Sequence, residues 1–464
     1  MKKIYSISFV AVIGGFLFGY DTAVISGAIE SLNQYFITPM ALAEHTANTL
    51  LGFIIACALI GCILGSILGG YCSRHFGRKR TLLLASLLFL VSAFGSAFPE
   101  MGMIVIGKKA VIISFIVFRI AGGVGIGLAS ILSPMYLAEI SPAGIRGRLV
   151  SWNQLAITLG ILIVYIVNYR IALTGDEVWN VTTGWRWMFV SMAFPALLFF
   201  VLLWFIPESP RWLVLSGKER KAHDILSSLH GQAVAEKELA EIKRRSEHSE
   251  SGKLFSFGAR VLLTGIMISI FQQTTGIQVM MYYAPEIIKN MGQSVNSAMF
   301  QSILVGEVNV VFTIIAIYTV DRVGRKRLLL VGSALMAFLL FTLGFCFFSN
   351  RMGMVSLISV LGFVAVFAFS WGPVTWVLLS EIFPNAIRSH AMAIAVAVQW
   401  IMNYAASSTF PLLDRSAWSI EIFNHSLPFL LFGVMALISF GFVWRFVPET
   451  KGNSLEEIEK IWKK

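Results

Sequence analysis

Long apolar runs recur along this chain so regularly that a water-soluble core is ruled out. They fall near residues 6–27, 49–72, 81–98, 110–138, 150–172, 185–206, 258–283, 298–320, 327–348, 355–380, 389–412 and 426–447. About 20 apolar residues in a helix cross the hydrocarbon core of a bilayer, so each run predicts one membrane span and the total is twelve. With 57% hydrophobic and 13% charged residues over 464 positions, the chain has too little polar surface for a soluble fold. The first run follows Lys2 and Lys3 as a signal peptide would, but it lacks a convincing small-residue cleavage site and reads as a retained helix. The predicted class is an all-α membrane protein.

Charge orients the spans. The net charge is +11, yet the basic residues cluster in short loops, which is a topology signal and not one for nucleic acid. "SRHFGRKR" at 73–80 and "DRVGRKR" at 321–327 each carry four Arg or Lys, whereas 28–48 carries none. The positive-inside rule puts the basic loops and both termini in the cytoplasm. The polar segment 207–257 has helical spacing and predicts short amphipathic cytoplasmic helices. The expected organisation is a six-helix half at 1–206, that linker at 207–257, a second half at 258–447 and a tail at 448–464. The four cysteines lie in or beside apolar runs and suit no disulfide framework. No nucleotide loop, metal cluster or catalytic constellation is legible, so neither an enzyme nor a cofactor is expected.

The halves repeat one another. Gly77-Arg78-Lys79-Arg80 recurs as Gly324-Arg325-Lys326-Arg327, Glu139 to Arg146 ("EISPAGIR") as Glu381 to Arg388 ("EIFPNAIR"), and Pro207-Glu208 as Pro448-Glu449. The offsets are 247, 242 and 241 residues, always at the same end of equivalent spans. Two six-span halves in parallel repeat are the plan of the major facilitator fold, which binds substrate between the halves near mid-membrane. Topology explains the Arg and Lys but not the acids beside them. Arg78, Glu139, Arg146, Glu208, Arg325, Glu381, Arg388 and Glu449 are therefore expected to form a cytoplasmic gating network whose ion pairs hold one state closed.

Beyond "GRKR", the stretches "RGRLVSWNQ" (146–154), "PESPRWL" (207–213), "FQQTTGIQVMMYYAP" (271–285), "SWGPVTWVLLSEIFP" (370–384) and "PETKG" (448–452) resemble the sugar porter family of the major facilitator superfamily. The resemblance runs from Gly14 to Gly452. It implies a monomeric transporter of the bacterial inner membrane that works by alternating access. Its partners would be the lipid bilayer, a proton and a monosaccharide, D-xylose or a related pentose or hexose. It also implies a sugar site built mainly by the second half. By position this would use Gln154 in span five, Gln272, Gln273, Gln278 and Tyr282 in span seven, and Asn309 in span eight. Phe367 and Trp376 would come from span ten, and Gln399 and Trp400 from span eleven. The chemistry agrees, because side-chain amides donate and accept as sugar hydroxyls require, and aromatic rings cover C–H faces. A glutamine in a span can instead bond a neighbouring helix, and an aromatic ring can simply pack. Gln278 stands where the family has Asn, which reshapes the pocket. Gly372-Pro373 ahead of Trp376 weakens span ten and points to a gate there.

Three charges lie well inside spans. Asp21 is roughly 22 Å from the inner edge, and Arg119 and Glu307 are each roughly 14 Å from the outer edge. All three then sit in the outer half of a core about 30 Å thick. Asp21 and Arg119 form either a static ion pair or a proton-coupling pair, and the resemblance implies the second. A proton-coupled member of the family carries a Glu where this chain has Met192, and Glu307 stands where the family is apolar. Glu307 is expected either to replace that acid in proton coupling or to bond a neighbouring helix. The resulting reading is a sugar–proton symporter, with a proton-independent sugar uniporter as the alternative. A transporter-like sugar sensor is less favoured, since only fourteen residues follow Thr450.

Overall fold

The computed structural model describes residues 2–101, 108–142, 145–247, 259–384 and 387–451, and among these every regular element is a helix. Among the described residues, ten helices are long and apolar enough to cross a bilayer. They are the expected spans one to six (Lys3–Gly27, Glu44–Phe76, Arg78–Ala97, Ala110–Ile140, Gly147–Ala172, Glu177–Leu203), eight to ten (Val295–Val320, Arg325–Phe348, Met354–Ile382) and twelve (Leu427–Phe446). The seventh and eleventh fall short for physical reasons. The seventh is broken into Ala259–Thr274, Ile277–Tyr282 and Ala284–Asn290. The first break is at Gly276, where φ is +89° and an added Cβ would meet the Phe432 ring at 2.4 Å. The eleventh, Arg388–Arg415, is continuous but diluted by Gln399, Asn403, Ser407 and Ser408. These two helices carry six of the amides and aromatics expected at the sugar site beside one further amide, Asn403, so their weak hydropathy follows from the residues of interest.

Small residues let the spans pack backbone to backbone. An added Cβ at Gly61 or Gly65 of the second span would strike the carbonyls of Ile120 and Val124, and one at Gly123 or Gly127 of the fourth would strike those of Ala58 and Cys62. Such reciprocal small-residue stripes replace the hydrophobic driving force that lipid removes. Across the halves, the second span packs on the eleventh and the fifth on the eighth.

The repeat is visible as a duplicated local unit at the basic end of the bundle. Gly77 and Gly324, at φ +90° and +102°, turn the chain into the third and ninth spans. One carboxylate then occupies each new helix N-terminus. Glu208 accepts from the backbone N–H groups of Arg78 (2.9 Å) and Lys79 (3.1 Å), and Glu449 from those of Arg325 (3.0 Å) and Lys326 (3.2 Å). An acid there satisfies orphan donors and meets the positive end of the helix dipole. Between the halves, Pro210–Leu215, Glu219–His230 and Gln232–Glu247 form the short amphipathic helices, gathered around Trp212, Leu213 and Ala222. Trp212 ties them to the bundle by donating from Nε1 to the Arg74 carbonyl at 2.8 Å. Residues 452–464 of the expected tail lie outside the described residues.

Gly77 should be irreplaceable, because its backbone angles belong to glycine alone and an added Cβ would lie 2.4 Å from Glu208 Oε2. Gly77→Ala is expected to lower the unfolding free energy by about 1–3 kcal/mol, read from thermal unfolding in detergent. Gly441→Ala, with nothing within 4 Å of its added Cβ, should not be destabilised.

Candidate functional site

The first span places Asp21 against Arg119 of the fourth. Arg119 Nη1 donates to Asp21 Oδ1 at 2.5 Å, and both side chains are essentially sealed from solvent at 0% and 2% exposure. The guanidinium also lies over the Phe189 ring, 5.4 Å from its centroid. Yet the pair is incompletely satisfied. Asp21 Oδ2 and Arg119 Nε have no hydrogen-bond partner among the described residues, and neither has the nearby Ser92 hydroxyl. Taking two charges out of water costs several kcal/mol per ion, which attraction repays only when the remaining donors and acceptors are also bonded. A half-satisfied pair in a membrane is thus a poor stabilising device.

Glu307 shares the depth of this pair but is not brought to it. It is exposed on the eighth span, on the same face as Phe300, Val311 and Tyr318. Two residues apart on a helix means about 200° of rotation, so Glu307 points away from the buried Asn309. Among the described residues it contacts neither Asp21 nor Arg119. Met192 is fully buried at a break in the sixth span, between Trp185–Ser191 and Ala193–Leu203.

The amides converge. Gln272 Oε1 accepts from Gln399 Nε2 at 2.6 Å and from Gln273 Nε2 at 3.4 Å, while Gln272 Nε2 donates to the Trp371 carbonyl at 3.2 Å. One buried knot therefore joins the seventh, tenth and eleventh spans. Gln273 Oε1 and Trp400 Nε1 are buried beside it without a hydrogen-bond partner among the described residues. Tyr282 is buried and bonds Asn403. Asn309 reaches Met281 Sδ at 3.9 Å. Phe367 is buried next to Gly372, Gln154 and Gln278 are half-buried and make no hydrogen bond to the knot, and Trp376 is exposed. The tenth span breaks at Ser370, between Met354–Phe369 and Trp371–Ile382. The cause is Pro373, which has no N–H for the carbonyl of Phe369. Sequence reasoning missed Asn403, although it lies four residues after Gln399 and so on the same helix face. It also missed Phe18, whose ring lies 5.5 Å from that of Trp400 and links the halves.

The charges at the basic end pair differently from expectation. Arg78 grips Glu139 through Nε and Nη2, both at 2.8 Å, and Arg325 Nη2 donates to Glu381 at 2.9 Å. Ser209 and Thr450 complete the units by donating to Glu139 and Glu381, each at 2.5 Å. Each of these bonds stays within one half. The units fold around their own helix starts, and these bonds do not cross between the halves. The side chains of Arg146 and Arg388 lie outside the described residues.

Residues 7–462 match the family model described as sugar (and other) transporter. The chain is 51% identical to the D-xylose-proton symporter of Escherichia coli strain K12 over 469 residues, 99% of this chain and 96% of the relative. It is 40% identical to the glucose facilitated diffusion protein of Zymomonas mobilis, covering 98% of this chain and 97% of that one. The inward-open structure of the xylose transporter XylE from E. coli superposes with a TM-score of 0.90 at 50% identity, covering 99% and 100% of the two chains. These findings put the bundle among the twelve-span membrane transporters of the major facilitator fold. Within that class, the chain belongs to the family of sugar (and other) transporters.

Removing one member of the buried pair strands the other. Arg119→Leu is expected to cost about 3–5 kcal/mol of stability. The double variant Asp21→Asn, Arg119→Leu should regain more than half of that loss when both are unfolded in the same detergent.

Proposed function

We propose that the protein is a proton-coupled monosaccharide importer of the bacterial inner membrane, with D-xylose the first candidate substrate. The observation that carries the reading is the buried, half-satisfied Asp21–Arg119 pair, a costly arrangement that stability does not explain. The relative with 51% identity supports it as a D-xylose-proton symporter. The basic loops assign their end of the bundle, and both termini, to the cytoplasm.

In this reading the sugar binds between the halves 1–206 and 258–447. Gln272, Gln273 and Gln399, with Asn309, Gln154 and Gln278, exchange hydrogen bonds with its hydroxyls. Trp400, Phe367, Tyr282 and Trp376 cover its apolar faces or gate it. Asp21 takes a proton from outside and Arg119 sets how readily it is given up. Phe18, one turn before Asp21, rests on Trp400, next to Gln399, so sugar and proton sites touch through one ring contact. The Arg78–Glu139–Glu208 and Arg325–Glu381–Glu449 units meet across the cytoplasmic mouth, with Arg146 and Arg388, when the halves rock the other way. A single chain suffices as the transport unit.

Facilitated diffusion is the second reading. It is favoured by the 40% identity to a glucose facilitated diffusion protein and requires that Asp21 stay paired throughout the cycle. Uptake of labelled D-xylose, D-glucose and L-arabinose into proteoliposomes separates the two. Symport predicts accumulation above equilibrium only with an inward proton gradient, abolished in Asp21→Asn while sugar exchange persists. Equilibration indifferent to gradient and mutation would establish the uniporter. Gln399→Ala, which deletes the 2.6 Å bond to Gln272, should weaken binding of the transported sugar about tenfold by calorimetry.

A further inference from the structure

A group of charged side chains that bond across the halves lies at the end opposite the basic loops. Glu30 belongs to the short helix Ile29–Leu32 that follows the first span. Lys289 closes the helix Ala284–Asn290, and Arg415 ends the eleventh span. Lys289 Nζ lies 3.4 Å and Arg415 Nη2 3.8 Å from the same oxygen, Glu30 Oε2. On one side is a single acid, steadied by Gln34 Nε2 at 3.1 Å. On the other is a braced platform. Arg415 Nε donates to Glu286 at 2.6 Å, Asn290 Nδ2 donates to Asp414 at 3.1 Å, and His425 reaches the other Asp414 oxygen at 3.1 Å. The platform thus ties the seventh, eleventh and twelfth spans of one half to one another. A second crossing lies nearby, where Glu44 accepts from the backbone N–H of Ala417 at 2.6 Å.

Resting on the transport reading above, we propose that Glu30, Lys289 and Arg415 form an electrostatic latch between the halves at the external mouth, made while the path is shut to the outside and broken each time sugar enters. The halves must part at this end for external sugar to reach Gln272, so bonds that cross here break in every cycle. Bonds within a half, like those of Arg78 with Glu139, need not. The latch is built to be reversible. Glu30 is 41% exposed and returns to water at little desolvation cost when released. Arg415 keeps its Glu286 partner in either state, so opening strands no buried charge. Burial alone would raise the Glu30 carboxyl, but Gln34 and the charges of Lys289 and Arg415 outweigh it and hold it below the usual carboxylate range. The acid is therefore ionised when it meets its two cations.

The test reads the position of the halves directly. Spin labels are placed at Val178→Cys and Trp418→Cys, both exposed at this end, after replacement of Cys57, Cys62, Cys72 and Cys346. Distances are measured in liposomes by double electron–electron resonance. Glu30→Gln and Lys289→Gln should each raise the long-to-short population ratio about three- to tenfold, the range of one or two partly exposed ion pairs. Glu30→Gln with Lys289→Gln should add little to Glu30→Gln alone, since both delete the same contact. Distributions unchanged from the parent in both single variants would overturn the latch. Sugar uptake by the unmutated protein is followed in parallel vesicles, and its absence would instead overturn the transport reading, leaving the distances to decide the latch.

Discussion

Hydrocarbon offers no partner to a polar group, and that constraint shapes everything distinctive in this molecule. Most spans meet it with small hydroxyl side chains that donate to carbonyls of their own helix, as Ser86, Thr158, Ser302 and Ser359 do. The exceptions are concentrated. Asp21 and Arg119 meet each other across the first and fourth spans, and Gln272, Gln273 and Gln399 meet across the seventh and eleventh. Each group solves the problem only in part, leaving Asp21 Oδ2, Arg119 Nε, Gln273 Oε1 and Trp400 Nε1 buried without a hydrogen-bond partner among the described residues. A protein selected for stability alone would fill those places with apolar side chains. Retained incomplete, they are groups through which a ligand or a proton changes the energy of the bundle.

Duplication supplies the scaffold and divergence supplies the chemistry. The carboxylate of Glu208 at one helix start and of Glu449 at its counterpart make nearly the same bonds, down to Lys79 and Lys326, which each donate at 2.9 Å to a tryptophan carbonyl, Trp204 and Trp444. Away from that shared unit the halves have parted. The charge pair belongs wholly to the first half, and the amide knot wholly to the second. Any coupling between them must then pass through contacts that cross the halves, of which Phe18 on Trp400 is the most direct.

Much of this was legible in the sequence. Periodic apolar runs placed all the spans, and the repeated GRKR and Pro-Glu motifs foretold the duplicated units. Asp21 and Arg119 match in depth and in the family resemblance, and the structure brings them together. Depth failed for Glu307 because a helix has an angle as well as a height. Its two-residue offset from Asn309 already placed it on the opposite face. For the acids at the basic end, sequence shows which charges share an end, not which helix start each one folds around. Glu30, Lys289 and Arg415 were unreadable for a related reason. Each sits in a polar stretch at a span end, where charge is ordinary, and only the packing of the halves brings them together.

The placement of the crossing charges bears on how such a machine stays reversible. A transporter that must visit two states in every cycle needs both within a few kcal/mol of each other, since a bias of about 5.5 kcal/mol moves a population from 1:99 to 99:1. Fully buried ion pairs between the halves would overshoot that window, because breaking one strands a charge in a dry interface. The structure keeps its buried pair, Asp21 with Arg119, inside one half, where rocking does not pull it apart. Between the halves it uses the half-exposed Glu30, an aromatic contact and single hydrogen bonds such as Tyr165 to the Met281 carbonyl at 2.6 Å. Strong interactions thus hold the moving bodies together, and weak ones decide between their positions.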